Sequence, residues 1–84
     1  MISMIYSVYD DAAKAFLPPF FVRSKGEAVR SFSSAVGQSD HQFSKFKSDY
    51  TLFELGSYDD VTGLITPFSV VSRVMSAIEV GDVT

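Results

Sequence analysis

Apolar and polar residues alternate through ISMIYSVY at 2–9: Ile2, Met4, Tyr6 and Val8 fall on one side, and Ser3, Ile5, Ser7 and Tyr9 on the other. A period of two predicts a strand with one buried face. Asp10-Asp11 then opens a turn, because aspartate accepts hydrogen bonds from its own downstream backbone. Residues 15–22, AFLPPFFV, predict a second strand antiparallel to the first. Pro18 and Pro19 have no N–H to give a ladder, so this strand is an edge or breaks at the prolines. Phe20 and Phe21 are consecutive, so they point to opposite faces.

The period changes at Ser24. Ser24-Lys25-Gly26-Glu27 has the spacing of a capping box, and Ala28, Val29, Phe32, Ala35 and Val36 follow at helical intervals. The spacing predicts a helix over 25–36, stopped by Gly37. Residues 38–49 are polar and predict a loop, with Phe43 and Phe46 spaced for one helical turn. YTLFELGSY at 50–58 predicts a third strand, Asp59–Gly63 a hairpin turn, and Leu64-Ile65-Thr66 the start of the returning strand, which Pro67 ends or places at an edge. Over 69–80 the spacing of Val71, Val74, Met75 and Ile78 predicts a short amphipathic helix capped by Ser69, although the valines also suit a strand. The order is ββαββα. It predicts an α+β fold, a four-stranded, largely antiparallel sheet with one or two helices on one face, forming one small domain over 1–84.

Composition narrows the chemistry. With 84 residues, 46% hydrophobic, there is material for one core and little stability to spare, which favours a homodimer or larger homo-oligomer. The chain has no cysteine and one histidine, so disulfides and thiolate or histidine-cluster metal sites are excluded, and no cofactor is expected. MISMIYSVYDD lacks a basic leader, and no apolar run reaches bilayer length. The expectation is a protein of a reducing cytoplasm, not secreted and without a membrane partner.

The net charge of -3 hides an asymmetry. Residues 12–47 carry Lys14, Arg23, Lys25, Arg30, Lys45 and Lys47 against Glu27 and Asp40. Residues 48–84 carry Arg73 against Asp49, Glu54, Asp59, Asp60, Glu79 and Asp82. A basic middle in an acidic chain offers one face to an anionic partner.

The succession of IYSVYD, a PFF segment leading into KGEAVRSF, and DYTLFELGSYDDVTG resembles the small nonstructural protein of gokushovirus-type phages (Microviridae). These are small icosahedral phages with circular single-stranded DNA, and the protein comes from their fifth open reading frame. The resemblance spans roughly residues 5–68. It is most specific at 50–63 and weak over 69–84. It implies a DNA-binding protein of genome replication or packaging, and transfers no individual site residue.

The residues agree with that class. Single-strand binding needs positive charge along a backbone and aromatic faces for bases. Lys14, Phe20, Phe21, Arg23, Lys25, Arg30, Lys45 and Lys47 are the candidate DNA-binding residues, with Phe16, Phe43 and Phe46 among them in sequence. Arg23 and Lys25 flank a helix start, where free N–H groups suit a phosphate. Catalysis finds less support. Asp59 and Asp60 resemble a magnesium pair, but their place in a turn gives them a structural use. His41 has no partner in a recognisable motif, and no phosphate loop or nucleophile elbow is present. The expectation is a non-enzymatic single-stranded-DNA-binding protein. The alternative is an interaction module that dimerises, or docks on a phage or host protein, through the PPFF surface.

Overall fold

A computed structural model describes residues 1–80. Five strands form one antiparallel sheet: β1 (Ile2–Asp10), β2 (Ala15–Phe16), β3 (Phe20–Val22), β4 (Tyr50–Asp59) and β5 (Leu64–Ser76). Three helices accompany them: α1 (Lys25–Val36), α2 (Gln42–Lys45) and α3 (Ala77–Val80), with a 3-10 turn at Lys47–Asp49. The fold is α+β. The sheet order is β2-β1-β4-β5, with β3 also on β1, so β2 and β3 together form one edge and β5 the other.

The PPFF segment is an edge that breaks at its prolines. Tyr9 pairs with Phe16 and Tyr6 with Phe20, so four steps on one side answer three on β1. Within the break, Leu17 N–H donates to the Val8 carbonyl at 2.8 Å and the buried Ser7 hydroxyl donates to the Leu17 carbonyl at 2.5 Å. Two hydrogen bonds thus tie the kink down where Pro18 and Pro19 can donate none.

Helix α1 has the expected bounds. The Ser24 hydroxyl accepts from Glu27 N–H at 3.3 Å, while the Glu27 carboxylate accepts from Arg23 N–H at 3.0 Å, one residue before the box's usual partner. Ala28, Phe32 and Val36, each four apart, bury one stripe against Tyr6 and Val8 of β1 and Leu52 of β4. Phe43, Tyr50, Ala77 and Val80 complete this core. Leu52 and Tyr6 are fully buried.

The region 69–80 corrects the expectation. It is strand to Ser76, and helix only over Ala77–Val80. Val70, Val71 and Val74 are β-branched and stiff, which favours extended backbone once β4 offers a ladder. The strand also continues past Pro67, which an edge position tolerates. Pairing is not regular: Gly56 faces Pro67 and Glu54 faces Ser72, so Phe68–Val71 form a four-residue excursion opposite Leu55. Among the described residues no helix is long and apolar enough to cross a membrane.

Candidate nucleic-acid interface

The helices bury the face of the sheet that carries Tyr6, Val8, Tyr50 and Leu52. The cross-strand register places Tyr9, Phe16 and Phe53 on the other face at one end, and Ile5, Phe21 and Tyr58 on it at the other. Helix α1 packs on the first face, whereas α3 reaches this second face through Glu79, which forms an ion pair with Arg73. The rings touch. Tyr9 and Phe16 are 4.9 Å apart between centroids, Phe16 and Phe53 5.5 Å, and Phe21 and Tyr58 5.5 Å, all edge to face. Phe16 and Phe21 remain 42% and 49% exposed, so they offer ring surface to solvent.

Two backbone irregularities assemble this row. Phe16 and Phe21 are an odd number apart, and so are Phe53 and Tyr58; regular strands would put each pair on opposite faces. The proline break supplies one parity change. Leu55, an extra residue of β4 between the partners of Ile5 and Tyr6, supplies the other.

Of the expected site residues, Phe21 lies on this face and Phe20 does not. Phe20 stacks on Tyr6 at 6.3 Å and packs against the core. Arg23 and Lys25 are exposed at the start of α1, just after Val22, which pairs with Met4. Lys14 lies beyond the far end of β1, in a left-handed conformation (φ 56°), its ammonium 3.0 Å from Asp11. That contact and charge hold the Lys14 ammonium above its ordinary range. Met4 and Asp10 are six residues apart on β1, about 20 Å at ~3.4 Å per residue. Lys45 on α2 and Lys47 in the 3-10 turn lead into Tyr50, the partner of Asp10, and so approach the Lys14 end. Arg30 is exposed on α1. The basic residues therefore flank the aromatic face in separate groups and do not form one patch.

Sequence reasoning missed Tyr9, Phe53, Tyr58 and Arg73. Arg73 pairs in register with Phe53, so it is the cation of the bare face itself. It also forms an ion pair with Glu79, which holds that carboxyl below its usual range.

The residues suspected of catalysis have structural partners. Asp59 accepts from Val61 N–H at 2.9 Å and closes the turn, where Gly63 takes φ 76°. Asp60 receives the Met1 ammonium at 2.7 Å. His41 caps α2, its Nδ1 accepting from Phe43 N–H at 3.0 Å. An apolar hollow of about 120 Å³ between α1 and the sheet, lined by Val8, Phe20, Phe32 and Phe43, is smaller than the ~300–1,000 Å³ of small-molecule clefts.

A family model described as Phage ORF5 protein matches residues 3–80. The chain belongs to this phage ORF5 protein family. The match runs from β1 through α3, so the bare aromatic face and the α1 entry both lie within the family's region. No curated protein and no solved structure matches the chain.

Proposed function

We propose that this phage ORF5 protein binds single-stranded DNA without enzymatic activity, during genome replication or packaging of a gokushovirus-type phage in the host cytoplasm. The observation that carries the reading is the sheet face opposite α1 with Phe16, Phe21, Phe53, Tyr9 and Tyr58 on it, where Phe16 and Phe21 are exposed and the other three rings half-buried. Aromatic rings left in water are costly unless something stacks there, and bases do so without regard to sequence. Arg23 and Lys25 at one end, and Lys14, Lys45 and Lys47 toward the other, track the phosphates that leave such a platform. None of Arg23, Lys25, Arg30, Lys45 or Lys47 is in an ion pair among the described residues. Stacking needs the faces of the bases, which favours a single strand over a duplex, whose bases are already stacked on one another.

The second reading is an interaction module, favoured by the exposed part of strand β5 before Arg73, which carries no charge. Titration of fluorescently labelled single-stranded and double-stranded DNA at two salt concentrations separates the two. Binding that prefers the single strand, weakens with salt and loses roughly ten-fold or more on Phe16→Ala supports DNA binding through this face, at ~1–3 kcal/mol per stacked base. A parent chain that binds neither DNA refutes it.

A further inference from the structure

The two edges of the sheet are built differently. The β2–β3 edge is short, broken by Pro18-Pro19, and held in its kink by Ser7 and Val8. These features block the addition of another strand. The β5 edge runs for 13 residues with no strand beyond it among the described residues. Residues 61–72, VTGLITPFSVVS, contain no charged side chain, in a chain that is 20% charged. Val61 (81% exposed), Val70 (78%), Leu64 (65%) and Ile65 (58%) stand in solvent along it. A long, apolar edge without lysines is what soluble proteins avoid unless it is covered.

We propose that a second copy of this chain covers it, packing antiparallel along the outer edge of β5. Surface area supports a copy of this size. With Phe68 and Val71 added, the exposed fractions amount to between three and four whole side chains. Five of the six are aliphatic, and at about 120 Å² for such a side chain that is on the order of 400 Å² per copy. A standard interface takes ~800 Å² per partner, and the intervening backbone, serines and threonines supply the remainder. Charge selects the direction. Asp59 and Asp60 precede the uncharged stretch and Arg73 follows it. A parallel pairing sets like charges side by side, whereas an antiparallel one sets Arg73 of one copy toward the aspartates of the other. Closure follows from the blunted opposite edge. With only β5 available, pairing is isologous and stops at two, where a second open edge would allow a fibre. Pro67 withholds one donor, so the contact rests more on the side chains of the Phe68–Val71 excursion than on a full ladder.

Analytical ultracentrifugation of the full chain from micromolar to millimolar concentration tests this, with no DNA present, so the outcome is independent of the nucleic-acid reading. The parent should sediment as a dimer. Val70→Lys, at an exposed position, should weaken the dimer by roughly a hundred-fold, since the two-fold axis places the change twice in one interface. Ala15→Lys, on the opposite edge, should leave it intact. If Val70→Lys loses its circular dichroism spectrum, Leu64→Lys decides in its place. A parent that is monomeric throughout overturns the proposal. So does a dimer that survives the β5 lysine with its fold intact, or one that Ala15→Lys dissociates.

Discussion

Gly56→Ala tests whether the structure has the approach of β4 and β5 right. By backbone entropy alone, replacing a strand glycine with alanine stabilises by about 0.5–1 kcal/mol. The structure reverses the sign. A Cβ on Gly56 would lie 2.4 Å from the Thr66 carbonyl oxygen and 2.8 Å from Pro67 Cα. Both are backbone atoms of β5, so no side chain can rotate away, and the strand itself must move at a proline. Overpacking against rigid backbone at this distance falls in the upper part of the range, roughly 2–3 kcal/mol, leaving a net loss of about 1–2 kcal/mol. An 84-residue domain has about 4–13 kcal/mol in total, so the loss is easily seen. Urea unfolding followed by circular dichroism, at one fixed protein concentration, reads it directly. With a slope near 1 kcal/mol/M the midpoint should fall by roughly 1–2 M. A midpoint that stays or rises would mean β5 does not cross Gly56 at this distance, and that the excursion at Phe68–Val71 is differently placed.

Burial, then the 2.9 Å hydrogen bond to Glu54, push the Tyr6 phenol up to about 12, against 10.0 in a free chain. The unfolded chain therefore ionises first; stability is complete below pH 10 and declines as pH rises from 10 toward 12, by about 2 kcal/mol. The thermal midpoint against pH should show this limb, and Tyr6→Phe should make it shallower, leaving the part due to Tyr50 and Lys14, which are also raised; a limb equally steep in the variant refutes the assignment. Replacing Arg23 and Lys25 together with glutamine should leave thermal stability nearly unchanged, as both are exposed, and should reduce the slope of log affinity against log salt by about 0.7 per lost phosphate contact. An unchanged slope would move the phosphate contacts to Lys14, Lys45 and Lys47.

What was legible in the sequence follows from how local each cause is. Helix α1 could be read to the residue because its cap, its four-residue stripe and its stop all lie within fourteen positions. The edge character of 15–22 was legible because a proline lacks its N–H in any context. The stretch 69–76 is strand where a helix is expected because Val71, Val74 and Met75 satisfy both periods, and the ladder that decides between them comes from β4. The aromatic face was only half legible. Alternation correctly separates Phe20 from Phe21, but it also separates Phe16 from Phe21 and Phe53 from Tyr58. Only the pairing partner reveals the extra residues in the proline break and at Leu55 that bring those rings onto one face. The basic residues fall in one stretch of sequence, 14–47, yet β1 holds its two ends about 20 Å apart and divides them.

The two proposals constrain each other through symmetry. Identical edge strands that pair antiparallel within one sheet are related by a two-fold axis perpendicular to that sheet. Both bare faces then look the same way, and the joined sheet reads β2-β1-β4-β5 followed by the same strands in reverse. Arg73, opposite Phe53 on β5, comes to the middle of this double face. Phe16 and Phe21, on the strands across β1, come to its two flanks. A single DNA strand crossing the dimer therefore meets two aromatic rows in sequence, and binding at the second is intramolecular once the first is occupied. Val70→Lys, which replaces none of the aromatic residues of the face, should then weaken binding to long single strands and leave short ones, which reach only one row, unaffected. Equal loss for both lengths would place the DNA on the β5 edge itself and exclude a second copy from it.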